Sequence, residues 1–418
     1  MNYSLKIILR LLVLIMIPMF LLSSTPLIEV QGLSSTPLIE VPKASQTLST
    51  YGQIVYPTPT PDSVTWLHTS GMNIYNSTGD RVNLYAANLI YGDGSGIRLS
   101  DIQNIKSLGF NAFRVFIHWK LMQPFNETLQ GINQAYFTNS NAPLRTSFDQ
   151  LINWSIQEKM YIILVIVWTE TYTPPTWAFP SVQNEDQRFT ALFDETAIKE
   201  KIGLTNCYNF LANRYKEVPN IIFEILNEPS VVDSSKAGIA YKSFNEDIIT
   251  SMETAESNSH VKIVELLLLN PDWQEIVNTA LDVNKPNVAW ATHNYAPMSN
   301  WDPNGRYYHS AFTWNGQYLP AGSGNGTTYV AWRLIRCAEK IQSWNKPWIN
   351  TEFSKVITQT NWTIWFDTVL KTFADNNIAG WTFHEYCNNP NQEYDWNLNN
   401  FATGQQIMNE IRPYMIQP

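Results

Sequence analysis

The sequence predicts a single (β/α)8 barrel, and three observations carry that prediction. Eight short apolar runs recur along the chain with helical stretches between them, the alternation that parallel strands joined by crossovers produce. The runs are near-continuously apolar rather than alternating, as strands covered on both faces must be. Two of them, far apart in sequence, each lead into a glutamate. That is the placement expected of reactive groups at the carboxyl end of barrel strands.

The chain opens with Lys6 and Arg10 ahead of an apolar run from Leu11 to Leu22, which reads as a secretory signal, with residues 1–32 as the leader. Twelve residues fall short of the ~20 a spanning helix needs, although counting from Ile7 lengthens the run and leaves an uncleaved membrane anchor as the alternative. Leu22 to Val30 recurs identically as Leu33 to Val41. Two copies make a duplicated spacer, not a stacking fold, which needs at least three. Tyr56 to Asp62, rich in Pro and Thr, reads as a stiff linker closing a 33–63 spacer, so the folded domain should span 64–418.

Within that domain the expected strands are Val82 to Leu89, Asn111 to Ile117, Tyr161 to Val167, Asn220 to Leu226, Lys262 to Leu268, Asn287 to His293, Pro347 to Thr351 and Ile378 to Phe383. The expected helices are Ser100 to Leu108, Ser147 to Lys159, Thr196 to Tyr215, Tyr241 to Glu256, Tyr329 to Ser343, Asn361 to Ala374 and Gln405 to Ile411. Eight such strands close most naturally into a barrel. An open doubly wound sheet that bound nucleotides would show Gly-x-Gly-x-x-Gly, and Gly92 to Gly96 does not fit it. That segment reads as a loop over the barrel mouth.

Composition narrows the function. The chain has 418 residues with 44% hydrophobic content, enough for one barrel of ~250 residues with long loops. A net charge of −9 argues against nucleic acid, whose phosphates demand basic contacts. The 16 Trp and 20 Tyr suit the apolar faces and hydroxyl rims of sugars. Cys207, Cys337 and Cys387 permit at most one disulfide. The six histidines never form His-Glu-x-x-His, and His384-Glu385-Tyr386 lacks the second ligand, so neither catalytic metal nor cofactor is expected. Sequons stand at Asn76, Asn126, Asn153, Asn325 and Asn361. A monomer is expected.

The chemistry centres on Asn227-Glu228-Pro229, after the fourth strand, and on Glu352, after the seventh. Two strand-terminal glutamates suggest the acid and nucleophile of a retaining glycosidase, which stand ~5–5.5 Å apart, one protonated and one ionised. His293 and Tyr295, two apart on the sixth strand, share a face by period two.

From roughly Val64 to the C-terminus the chain resembles glycoside hydrolase family 5. The resemblance implies that Glu228 is the acid/base, that Asn227 binds the sugar 2-hydroxyl, and that Glu352 is the nucleophile. Arg114, in Gly109-Phe-Asn-Ala-Phe-Arg-Val-Phe116, would keep Glu352 ionised; a barrel-interior ion pair with Glu224 is its other reading. Tyr295 would donate to Glu352, and His293 would contact the acid and the substrate. Trp381 would stack beneath the sugar, and Asn88 would support the site. The family's third strand usually ends in histidine, whereas this chain offers Trp168, as some mannan-cleaving members do. Trp119, Trp177, Trp273, Trp301 and Trp314 are candidate platforms along a cleft. The implied protein is a secreted retaining endo-β-1,4-glucanase acting on a β-linked polysaccharide. A β-mannanase is the alternative, and a catalytically inactive carbohydrate-binding surface protein is the alternative of another class.

Overall fold

In the computed structural model, the described residues are 64–90, 96–123, 125–126, 128–129, 131–139, 146–167, 185–194, 196–256, 259–269, 274–295, 312–314, 317–319, 326–355, 361–387 and 397–415. The leader and spacer lie outside them, as do Trp168, Trp177, Trp273, Trp301, Asn325 and the loop 91–95.

All eight expected strands form. They are β1 (Leu84–Ile90), β2 (Ala112–His118), β3 (Tyr161–Val167), β4 (Ile221–Glu224), β5 (Val261–Glu265), β6 (Val288–Tyr295), β7 (Trp348–Ser354) and β8 (Gly380–Cys387). Each pairs with the next in parallel, and β8 returns to β1, closing the barrel. A closed sheet has no edge, so every strand spends its backbone groups on two neighbours.

The crossovers carry α1 (Leu99–Ser107), α2 (Phe148–Gln157), α3 (Leu204–Arg214), α4 (Ile239–Ala255), α5 (Gly326–Ser343) and α6 (Trp362–Asp375), and α7 (Phe401–Ile411) follows β8. Ser147 caps α2 by accepting from the Gln150 N–H, and Asn400 caps α7 through Thr403 N–H, each satisfying an orphan donor of the first turn. Three differences from the sequence reading have local causes. The single helix expected over 196–215 is two, because Gly203 adopts φ +68° between Thr196–Lys201 and α3. A further helix, Glu185–Asp194, precedes them. A hairpin, Leu67–Ser70 with Asn73–Asn76, turning at Gly71 (φ +56°), stands before the barrel.

That hairpin closes the amino-terminal pole. Val64, Leu67 and Ile74 pack against small and branched side chains that face the barrel interior, among them Ala86, Ala112, Ile163, Ile222, Ala289 and Ile349. Thr69 N–H donates to Asn287 Oδ1 at 3.1 Å, tying the hairpin to the start of β6. The three cysteines are buried free thiols, so no disulfide forms. Trp119 is core: it is 5% exposed and donates its indole N–H to the Ile202 carbonyl at 3.2 Å. Trp314 ends a short strand, Phe312–Trp314, whose side chains lie outside the described set.

Candidate active site

Above the apolar layer the barrel axis turns polar, and the predicted site residues Asn88, Arg114, Asn227, Glu228, His293, Tyr295 and Glu352 gather there. Period two dictates which residues point inward: on β1 the phase of Ala86 continues to Asn88, and on β2 that of Ala112 continues to Arg114. Arg114 is fully buried and holds the site together. Its Nε and Nη2 grip Glu224 at 2.6 and 3.0 Å, and Nη1 reaches Glu352 Oε1 at 2.5 Å. Nη1 also donates to Asn88 Oδ1 at 3.3 Å, and Nη2 to Asn227 Oδ1 at 2.8 Å. Both readings of Arg114, partner of Glu352 and partner of Glu224, therefore hold in the geometry at once. A planar fork of five donors can satisfy two carboxylates; an ammonium could not do so with the same geometry.

Glu352 lies inside β7, not beyond it, because the strand runs three residues further than expected. A register shift near Thr292 and His293 against β6, and another between Asn350 and Phe353 against β8, mark a bulge. Bulged strands present two successive side chains where a regular strand presents one. Thr351 accordingly donates to Glu224 at 2.9 Å while its neighbour Glu352 meets Arg114. Burial opposes a charge on Glu352, but His293, Arg114, His384 and the Tyr295 hydroxyl, which donates to Oε2, together hold its carboxyl down to about 2. It is 5% exposed and ionised at neutral pH.

Glu228 follows β4 after Ile225, Leu226 and Asn227 and is half-buried. Its Oε1 stands 3.0 Å from His293 Nδ1. One carboxyl oxygen of Glu228, one of Glu352 and a His293 ring nitrogen all lie within 4.8 Å of one another. Asn227 gives its Oδ1 to Arg114, which leaves its amide N–H donors for other partners. Among the described residues, two donor triads have metal-like spacing, Glu224–Glu265–His293 and Glu228–His293–Glu352, and their members also hydrogen-bond to Arg114, Thr351 and Tyr295.

Trp381 is the correction. It is 1% exposed and packs on Tyr85, Phe110 and Phe353, centroids 5.0, 6.2 and 5.3 Å away, on the outward face of β8. It lines an outer groove with Leu370, Phe373 and Tyr414, away from the glutamates. The sequence reading ended this strand at Phe383, whereas it continues to Cys387, so the residue that reaches the site is His384. His384 Nδ1 accepts from Asn88 Nδ2 at 2.9 Å and lies 3.8 Å from Glu352 Oε2. Its Nε2 meets Glu385 Oε2 at 3.2 Å, and burial lifts the Glu385 carboxyl to about 7. Sequence reasoning also missed Glu265. The available signals were a carboxylate interrupting an apolar run at the end of β5, and a His-Glu pair weighed only as half a zinc motif.

The chain matches the profile of the family described as Cellulase (glycosyl hydrolase family 5) over residues 75–392, well over half its length. Solved structures share the fold at low identity. The catalytic domain of the major endoglucanase from Xanthomonas campestris pv. campestris has 16% identity and TM-score 0.56, covering 84% of this chain and 99% of that one. Cel5A from Thermotoga maritima, in complex with mannotriose, has 14% identity and TM-score 0.54, covering 80% and 98%. Cellulose synthase subunit Z from Clostridioides difficile has 16% identity and TM-score 0.53, covering 80% and 99%. No curated protein matches the chain.

Proposed function

The chain belongs to glycosyl hydrolase family 5, the cellulases, and from that premise we propose that it is a retaining endo-β-1,4-glucanase. One observation carries the retaining assignment: Glu228 and Glu352 bring carboxyl oxygens within 4.8 Å of each other. Retention needs carboxyls ~5–5.5 Å apart, whereas inversion needs ~6.5–9.5 Å to admit a water. Glu352, pinned ionised by Arg114 and Tyr295, attacks the anomeric carbon, and the glycosidic C–O bond breaks as Glu228 gives its proton to the departing oxygen. Glu228, now a carboxylate, takes a proton from water. The resulting hydroxide equivalent attacks the anomeric carbon, and the bond to Glu352 breaks, restoring both groups. Asn227, anchored through Oδ1 by Arg114, offers its N–H to the 2-hydroxyl.

The endoglucanase neighbour supports β-1,4-glucan as substrate. β-Mannan is the second reading, favoured by the mannotriose complex of the Thermotoga Cel5A and by Trp168 standing where the family has histidine. Export through the Lys6–Leu22 segment fits a polymeric substrate outside the cell. The test has two parts. Release of reducing ends from β-1,4-glucan, mixed-linkage glucan, xylan and glucomannan ranks the substrates. A 2-deoxy-2-fluoro glycoside should add one sugar mass to the peptide containing Glu352; label on no peptide, or on another, would sink the mechanism.

A further inference from the structure

Glu265 ends β5, and the chemistry above leaves it without a role. It is fully buried, yet both carboxyl oxygens point at the acid/base region. Oε2 accepts the backbone N–H of Glu228 at 2.7 Å, and Oε1 lies 3.6 Å from His293 Nδ1. Glu228 holds φ +46°, a conformation that a residue with a Cβ keeps only where its surroundings impose it. A buried carboxyl oxygen accepting its N–H is such an imposition.

His293 stands between the two glutamates, and its protons can be placed from its partners. The Thr351 hydroxyl spends its proton on Glu224, so it must accept from His293 Nε2 at 3.0 Å. Nδ1 then faces Glu228 Oε1 at 3.0 Å, Glu265 Oε1 at 3.6 Å and Glu352 Oε2 at 3.8 Å. A bare nitrogen lone pair would be repelled by that ring of carboxyl oxygens, whereas an N–H is held by it. Burial pushes the imidazole down, but Glu265, Glu352 and Glu228 outweigh it and lift it to about 10. The other charged or titratable groups packed around this pair are Arg114 from β2, Glu224 from β4, Tyr241 from α4, Tyr295 from β6, and His384 and Glu385 from β8. Arg114 is already committed to Glu224 and Glu352, and the Tyr241 hydroxyl donates to the Glu265 main-chain oxygen at 2.7 Å. Burial pushes the Glu265 carboxyl well up, and the His293 imidazolium is the first group that draws it back toward its ionised form.

We propose that Glu265 is a positioning residue for the acid/base: it fixes the main chain of Glu228 and neutralises the His293 imidazolium, so that Glu228 retains its proton until the leaving group takes it. Without that charge, Glu228 would become the counter-ion of His293 and surrender its proton early. The inference rests on the retaining reading of Glu228 and deepens it.

Glu265→Gln in the full chain separates the two roles, because an amide oxygen still accepts the Glu228 N–H while the charge is gone. The basic limb of kcat/KM on soluble β-1,4-glucan should move about one pH unit toward acid, with the acidic limb in place. An aryl cellobioside with a good leaving group, which needs no acid for bond cleavage, should lose far less. A folded variant whose basic limb coincides with wild type overturns the proposal. Wild-type protein that cleaves no β-glycan would instead strike the glycanase reading, so the two failures are distinguishable. Should the variant not fold, nitrogen-15 spectra of labelled histidine in the wild-type chain decide. His293 protonated on both ring nitrogens through pH 7 supports the pair, and an unprotonated Nδ1 at that pH overturns it.

Discussion

Tyr295→Phe removes one oxygen and nothing else, and its consequences can be worked from the contacts of Glu352. The carboxylate receives Arg114 on Oε1 at 2.5 Å and the Tyr295 hydroxyl on Oε2. Both donors favour its ionised form, which lies down at about 2 despite burial. A hydrogen bond to a charged group contributes about 1.5–3 kcal/mol. At 1.36 kcal/mol per pH unit, losing it lifts the Glu352 carboxyl by about one to two units. Activity requires Glu352 ionised in the first step, so the acidic limb of kcat/KM moves up by that amount while the basic limb stays. At neutral pH the carboxylate is still ionised. There the loss appears in the second step, where Glu352 departs without its hydroxyl donor, and kcat falls about ten- to hundredfold. The assay is a pH–rate profile on soluble β-glucan with a stopped-flow burst on an aryl cellobioside. An acidic limb that does not move would refute the reasoning, because it would mean that Tyr295 does not stabilise the Glu352 charge.

Glu352→Ala should abolish turnover, and azide should restore part of it on an activated substrate, releasing the glycosyl azide of opposite anomeric configuration; retained wild-type rates would remove its assigned role. Glu228→Ala should flatten the basic side of the pH profile and spare substrates with good leaving groups, a split that reads directly as KM and kcat on two aryl cellobiosides. Equal losses on both would count against it. Trp381→Ala should cost about 3–5 kcal/mol of stability in a denaturant melt, the usual cost of emptying a buried tryptophan site, while KM for cello-oligosaccharides stays near wild type. A large rise in KM with little loss of stability would restore it to the substrate cleft.

The fold was legible because barrel strands and helices write different periods into the chain, and the eight β runs were found with ends displaced by a few residues. Those displacements are where the site reading went astray. At β8 the apolar run Ile378 to Phe383 stops at His384, so a polar residue was taken as the strand's end when it was the strand's inward-facing contribution. With the end misplaced, Trp381 fell at the mouth instead of on the outer face beside Phe353. At β7 the difficulty is of another kind: strict alternation with Ile349 and Thr351 would turn Glu352 outward, and only the bulge lets Thr351 and Glu352 share the interior. Bulges leave no mark in the hydrophobic pattern. Glu265 was hidden for a different reason: a single charge within an apolar strand carries no indication of which distant main-chain group it serves. The short Leu67–Asn76 hairpin has four-residue strands, too brief to show a period.

The plug beneath the barrel also fixes an orientation. Val64, the first described residue, is buried against the amino-terminal pole, and the glutamates open at the other. The described chain therefore begins at the pole opposite the glutamates. Plug and glutamates are thus kept to opposite ends of the closed sheet, so a change at Val64, Leu67 or Ile74 can loosen the domain without crowding the face where the carboxyls open.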